Sequence, residues 1–210
     1  MRRIYKRILK PLIDFCLALF FILLLPVPML LVSLAIVIDD PGPVLFKQKR
    51  VGKSKNGKIT YFNIYKFRSM KVDTPCDVAT HLLESPDKYV TRVGKLLRKT
   101  SIDEFPQLIN ILLGQMSFVG PRPALYNQDD LVLEREKYGA NNVTPGLTGW
   151  AQINGRDELS INEKARFDGE YSTNLTLLFD IKIVFKTISY VLKGKGLLKK
   201  ASNEREEVLK

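Results

Sequence analysis

From Phe15 to Ile38 the chain runs for 24 residues without a charged side chain, between Asp14 and Asp39. Nothing else restricts the fold so strongly, because a run of this length is enough for a helix to cross a hydrocarbon core of about 30 Å. Pro26 and Pro28 stand at its middle, where each removes a backbone donor and disfavours a straight helix. Each half, about 12 residues, is only about 18 Å long, which matches half a bilayer. The flanks agree: Arg2, Arg3, Lys6, Arg7 and Lys10 precede the run, and Lys47, Lys49, Arg50, Lys53, Lys55 and Lys58 follow it. With both flanks basic, the positive-inside rule places both on the cytoplasmic side. The pattern predicts a re-entrant helix-break-helix over residues 1–38, with a kinked spanning helix as the alternative. A cleaved secretory signal is set aside, since the run is too long and ends in Asp39-Asp40-Pro41-Gly42-Pro43 without a small-residue cleavage site.

Charge points the same way. The formal charge is +11, and residues 1–58 hold 11 Lys or Arg against 3 Asp. A basic excess flanking an apolar segment indicates an anionic membrane face, and no nucleic-acid partner is expected, because the charge is not interleaved with aromatic stacking positions. With 210 residues and 45% hydrophobic content, the remainder is read as one membrane-associated domain with a real core, residues 39–200, and a disordered charged tail, residues 201–210. Cys16 lies in the apolar run and Cys76 in a polar loop, so no disulfide framework is implied. His81 is the only histidine, which excludes zinc sites built on several histidines; nothing near it marks Cys76 as an activated thiol.

The expected fold class is α/β, predominantly helical with a small β-hairpin. Leu45 to Val51 and Ile59 to Phe67 are strand-like runs joined through Asn56-Gly57, the residues of a I′ turn. Gly52-Lys53-Ser54 lacks the upstream glycine of a phosphate-binding loop, where Lys47 stands instead. Lys66 and Arg68 alternate onto one strand face, lining an anion site or facing solvent. Asp73 to Asp87 is polar and loop-like, and Lys88 to Leu97 has the spacing of a short helix, with Arg98 and Lys99 beyond it.

Next comes Ser101-Ile102-Asp103-Glu104-Phe105-Pro106-Gln107, opening an apolar pattern at Ile102, Phe105, Leu108, Ile109 and Leu112 that Gly114 ends. Asp103 and Glu104 then sit in a helix's first turn, where N–H groups and the helix dipole favour anions. Ser101 and Glu104 have the spacing of a capping box, so a structural role competes with a chemical one. Arg98 either clamps a phosphate or pairs with these carboxylates. In Gly120-Pro121-Arg122-Pro123 two prolines fix the backbone around one guanidinium, a presented side chain or a rigid connector. Trp150, Gln152, Asn154 and Arg156 share one face if their segment is extended. Ser160 and Glu163 repeat the capping-box spacing and open a helix through Tyr171, with Asp168 and Lys164 on its polar face. Leu175 to Lys200 is too charged to span and is read as an amphipathic interfacial helix, with a core helix as the alternative.

Together these motifs resemble the monotopic phosphoglycosyl transferases, the bacterial sugar transferase family, in its minimal form and over nearly the whole chain. The resemblance rests on the proline-broken apolar segment after Asp14, on 39–44, 46–52 and Tyr65-Lys66-Phe67-Arg68-Ser69-Met70, on 98–107, on Gly120-Pro121-Arg122-Pro123 and on Asn154-Gly155-Arg156. It implies transfer of a phosphosugar from a UDP-sugar to polyprenyl phosphate. Asp103 is the implied nucleophile, forming an aspartyl phosphosugar, and Glu104 the implied Mg²⁺ ligand. Arg98, Arg122 and Arg156 match positions the family associates with phosphate and nucleotide contacts, with Lys66, Arg68 and Asp168 as weaker correspondences. The family's break is often Ser-Pro, where this chain has Pro26-Val27-Pro28. The implied location is the cytoplasmic face of a bacterial plasma membrane, with membrane lipid as a partner and a second copy or a downstream glycosyltransferase as further partners. The competing class is a non-catalytic membrane module, binding lipid or a partner, in which Asp103 and Glu104 are helix caps.

Overall fold

The computed structural model describes residues 2–75, 85–155 and 158–192; Cys76, His81, Arg156, the residues past Leu192 in the expected C-terminal helix and the tail from Ala201 lie outside them. The described chain is mostly helical, with two small two-stranded sheets.

Helix α1 (Arg2–Leu24) and helix α2 (Pro26–Asp39) form the broken pair, bent by 65°. Pro26 and Pro28 cannot donate to the carbonyls of Ile22 and Leu24, which ends α1; in the first turn of α2 the same missing donors leave nothing unpaired. Among the described residues no single helix is long and apolar enough to cross a membrane. The pair's outer side is apolar and uncovered at Phe20, Leu23, Leu24, Val27, Leu30, Leu31 and Ile38. Its inner side packs on the domain: Ala18 against Phe62, Ile64, Leu108 and Ile111, and Ile36 against Phe67 and Leu97.

Strands β1 (Leu45–Val51) and β2 (Tyr61–Phe67) pair antiparallel, from Leu45↔Phe67 to Val51↔Tyr61. Asn56 (φ 52°) and Gly57 (φ 74°) make the expected turn between Lys55 and Lys58. The second strand begins at Tyr61, later than Ile59, because Thr60 turns back to accept from Gly52 N–H at 2.7 Å and to donate to the Lys53 carbonyl at 2.7 Å.

Helix α3 is Arg92–Thr100, displaced from the predicted Lys88–Leu97: the Thr91 hydroxyl caps Gly94 at 2.9 Å, and Val90 is held in a bridge to Met70. A separate turn, Pro86–Tyr89, precedes it. Helix α3 passes so close to the end of β2 that a Cβ on Gly94 would lie 2.0 Å from the Ser69 carbonyl oxygen. Helix α4 (Gln107–Leu112) leads to β3 (Ser117–Val119), which pairs in parallel with β4 (Gly146–Thr148), a sheet the sequence patterns did not announce. Helices α5 (Asp129–Lys137), α6 (Ile161–Thr173) and α7 (Leu177–Leu192) complete the domain, and α6 carries the expected Ser160/Glu163 capping box.

Trp150–Ile153 is a helical turn, not an extended run, so Trp150, Gln152 and Asn154 do not share a face. Its cause is tertiary: Trp150 is buried against Phe167 and Phe179 and donates to Glu170 at 3.0 Å, while the Asn154 amide folds back on the Trp150 carbonyl at 2.7 Å. Helix α7 has both characters weighed for it. Asp180 and Ile183 are buried, whereas Leu178, Phe185, Ile188 and Val191 are exposed along one stripe.

Candidate active site

The site is built where α3 ends. Ser101 adopts a left-handed conformation (φ 59°) that stops the helix and turns the chain. A single 3-10 turn, Ile102–Glu104, follows, and the next helix starts only at Gln107. The predicted first-turn position of Asp103 and Glu104 is therefore corrected: they lie in a turn of their own. Ser101 makes no side-chain cap bond, so the capping box is absent as well, because a serine ending one helix cannot also have the extended backbone of an N-cap. Ile102 and Phe105 pack beside Phe67 and Leu97 and pin the turn on both sides of the two carboxylates.

Glu104 accepts from Lys66 Nζ at 2.7 Å and from Arg122 Nη2 at 3.0 Å, both on Oε1. Burial alone would push its carboxyl up, but the two cations outweigh burial and hold it well below the usual carboxylate range. Asp103 is buried and, among the described residues, accepts no hydrogen bond and forms no ion pair. Burial and then the adjacent Glu104 charge push its carboxyl up, against the pull of Lys66, Arg98 and Arg122. Neighbours in sequence, the two carboxylates have opposite environments.

Lys66 reaches the site because it shares the inner face of β2 with the buried Phe62 and Ile64; the solvent-facing alternative does not hold. Arg122 is carried between two buried prolines, and its carbonyl accepts from Arg135 Nη2 at 2.9 Å. Arg135 is in turn held by Asp168 at 2.9 and 2.6 Å. Asp168 is thus not on a polar face and does not line the carboxylates; it is buried and positions the Arg122 loop through Arg135. Arg98, half-buried in the last turn of α3, lies in the field of Asp103. Arg68 is drawn elsewhere, donating to the Asp40 carbonyl and pairing with the Asp40 carboxylate at 2.9 Å. It secures the chain where α2 ends, and Asp39 beside it accepts from Val93 N–H at 2.8 Å at the start of α3. Arg156 lies outside the described residues.

Two participants were not singled out from sequence. Arg135 sits within Glu134-Arg135-Glu136, which reads as a solvated helix face. Arg50 lies on the inner face of β1 and donates to the Pro123 carbonyl at 3.1 Å, tying the hairpin to the Arg122 loop; its alternation with Phe46 and Gln48 was the available signal. Among the described residues no cluster of three or more His, Cys, Asp or Glu side chains could enclose a metal.

The sequence model for "Bacterial sugar transferase" matches residues 5–194. The chain belongs to the bacterial sugar transferase family. It is 42% identical over 204 residues to UDP-glucose:undecaprenyl-phosphate glucose-1-phosphate transferase of Escherichia coli K12, an alignment covering 94% of this chain and 42% of that protein. It is 39% identical over 205 residues to exopolysaccharide production protein PSS of Rhizobium leguminosarum bv. phaseoli, covering 90% and 98%. To UDP-N-acetylgalactosamine-undecaprenyl-phosphate N-acetylgalactosaminephosphotransferase of Aeromonas hydrophila it is 41% identical over 174 residues, covering 80% and 40%. The chain thus spans less than half the length of two of these relatives and nearly all of the third.

Proposed function

We propose that this bacterial sugar transferase moves a phosphosugar from a UDP-sugar to undecaprenyl phosphate, in two steps through Asp103. The single observation that carries the reading is the contrast between the carboxylates: Glu104 is ionised and held by two cations, while Asp103 beside it accepts no hydrogen bond and forms no ion pair among the described residues. A helix cap would show the reverse, a carboxylate bonded to backbone N–H groups. The names of the relatives supply the substrate classes, a UDP-sugar and undecaprenyl phosphate.

In the first step an Asp103 oxygen attacks the sugar-bearing phosphorus. A bond forms from that oxygen to phosphorus, the bond to the bridging oxygen breaks, and the electron pair leaves with UMP. In the second step a polyprenyl phosphate oxygen attacks the same phosphorus and the Asp103 carboxylate departs, giving polyprenyl-diphosphate-sugar. No proton need move in either step, so the protein's task is positioning and charge neutralisation. Lys66 and Arg122 fix Glu104, and Arg122, clamped by its prolines and by Arg135, presents its fork to phosphate oxygens.

A Mg²⁺ ion fits this donor set. Both cations bind Oε1 of Glu104, and Oε2 accepts no hydrogen bond among the described residues. One ionised carboxylate completed by diphosphate oxygens and water is an ordinary Mg²⁺ environment, and the ion would neutralise charge on the diphosphate.

The bent pair α1 and α2 is proposed to dip into one leaflet from the cytoplasmic face, with the exposed stripe of α7 on the membrane surface. Its support is the exposed apolar outer side, the basic flanks and the two short arms. A lipid phosphate then meets Asp103 without leaving the membrane.

The test is intact-protein mass after incubation with Mg²⁺ and a series of UDP-sugars without lipid acceptor. A phosphosugar adduct on wild type, absent from Asp103→Asn, with UMP released, is expected. Folded wild-type protein that yields neither adduct nor UMP with any donor overturns the reading in favour of a binding module.

A further inference from the structure

Two buried arginines of the domain have carboxylate partners: Arg68 pairs with Asp40 at 2.9 Å and Arg135 with Asp168 at 2.6 Å. Arg50 has none among the described residues. Its Nη1 donates to the Pro123 carbonyl at 3.1 Å and its Nη2 to the side-chain oxygen of Gln48, both neutral acceptors, while its Nε, like that of Arg68, is sealed from water without a partner among the described residues. The charges it faces are Arg122, which repels it, and Glu104, which Lys66 and Arg122 already share. Burial and then Arg122 work against its charge, yet a guanidinium keeps its proton in a protein. Arg50 is half-buried, and a guanidinium with part of its fork withdrawn from water gains when an anion pairs with it. Among the described residues the cluster leans the same way, since Arg50, Lys66, Arg98 and Arg122 face Asp103, Glu104 and, at Arg98, Asp87.

We propose that Arg50, together with Arg122, is the receptor for the phosphomonoester that stands opposite Asp103 across the reacting phosphorus. The proposal rests on the two-step transfer above. In-line displacement puts the leaving oxygen opposite the attacking carboxylate, so UMP departs from the side away from Asp103. When Asp103 is itself the leaving group, the acceptor must attack from that same vacated side. One locus therefore receives UMP and polyprenyl phosphate in turn, and both are phosphomonoesters of charge about −1.5 to −2 near neutral pH. The surplus of positive charge matches that ligand. A guanidinium has five N–H donors, and the bonds to Pro123 and Gln48 leave three for phosphate oxygens.

The experiment uses the full chain in lipid nanodiscs and measures binding of UMP against uridine, and of farnesyl phosphate against farnesol, by titration calorimetry. Wild type is expected to prefer each phosphate over its neutral counterpart. In Arg50→Gln that preference falls about tenfold or more, the effect of losing a charge-assisted bond to phosphate, while uridine affinity is unchanged. Loss for both ligands supports one shared receptor; loss for one alone overturns the shared receptor. Phosphate preferences equal to wild type overturn the proposal, as does an equal loss of uridine and UMP binding, which marks Arg50 as a prop for Pro123 only. Arg50→Lys, which keeps charge without the fork, is expected to fall between the two and stands in if the glutamine variant does not fold; preference equal to wild type in it overturns the guanidinium assignment. Wild type with no preference for UMP and no covalent adduct instead overturns the two-step reading, so the two failures are distinguishable.

Discussion

Two groups of carboxylates and cations are withdrawn from water in this molecule, one buried and one half-buried. Where α1 meets α7, Asp180 accepts from Tyr5 at 2.7 Å and Lys10 at 2.7 Å on one oxygen and from Tyr171 at 2.8 Å on the other. Asp14 lies 3.9 Å from Lys10 and accepts from Phe118 N–H at 3.1 Å. None of these residues has an orphaned buried atom. Around Asp103 the sums do not close among the described residues: Asp103 accepts no hydrogen bond, Arg50 keeps an orphaned Nε, and Gln107 on the same segment keeps an orphaned Nε2. A satisfied polar network rigidifies and specifies structure, and one left incomplete destabilises until a ligand completes it. The first cluster is therefore read as a clasp and the second as a site. Removing side chains from the clasp should damage stability, and removing them from the site should damage chemistry at smaller or even opposite cost to stability.

The sharpest way to break this contrast is Asp180→Ala, which strands Lys10 and two tyrosine hydroxyls. A loss of about 4 kcal/mol is expected, measured by denaturant unfolding in lipid bicelles, with adduct formation per folded molecule retained. An unchanged midpoint would erase the distinction. Glu104→Gln comes next, with about 2 kcal/mol lost together with the adduct. Because the Glu104 carboxyl is depressed, its contribution is complete above the ordinary Glu value of about pH 4.3 and is lost as pH falls through the depressed one. The deficit of the variant, followed by unfolding at several pH values, should therefore shrink only in acid.

Asp103→Asn sharpens the comparison by its sign. The raised Asp103 carboxyl favours the fold at low pH, and that support is lost as pH rises through its raised value. At neutral pH the asparagine variant should be more stable by about 1 kcal/mol, with no adduct; the gain should vanish near the ordinary Asp value of about pH 3.9. The smallest effect is on the pH profile of UMP release. Its acid limb follows ionisation of Asp103, and Lys66 is the charge that most lowers that carboxyl. Lys66→Met should move the limb to higher pH by about one pH unit, read by rapid-quench assay; an unmoved limb would remove Lys66 from the field of Asp103.

What could be read from sequence was what is decided locally. The Asn56-Gly57 turn, the Ser160/Glu163 box and the break at Pro26 and Pro28 each depend on residues within a few positions, and each formed. Ser101 and Glu104 had the same local signal and did not form a cap, because Ser101 turns left-handed to end α3 and Lys66 and Arg122, from other segments, hold the carboxylate. The run from Trp150 was too short for its alternation to separate a strand from a helical turn, and the aromatic core decided it. Asp103, Glu104, Lys66, Arg98 and Arg122 were nameable, and the structure brings them together. The roles of Arg68, Arg135 and Asp168 rest on pairings between distant segments, such as the 33 positions from Arg135 to Asp168, which no single sequence encodes visibly.

The clasp also has a bearing on time. Lys10 and Asp180 are 170 positions apart. At a synthesis rate of about 5–20 residues per second, the lysine leaves the ribosome roughly ten to thirty seconds before its carboxylate does. Within that interval α1 can already pack Ala18 on Phe62, Ile64, Leu108 and Ile111, but its first turns lack their ionic contact with α7. The start of α1 is therefore fastened only after α7 has emerged, later than the packing of its middle.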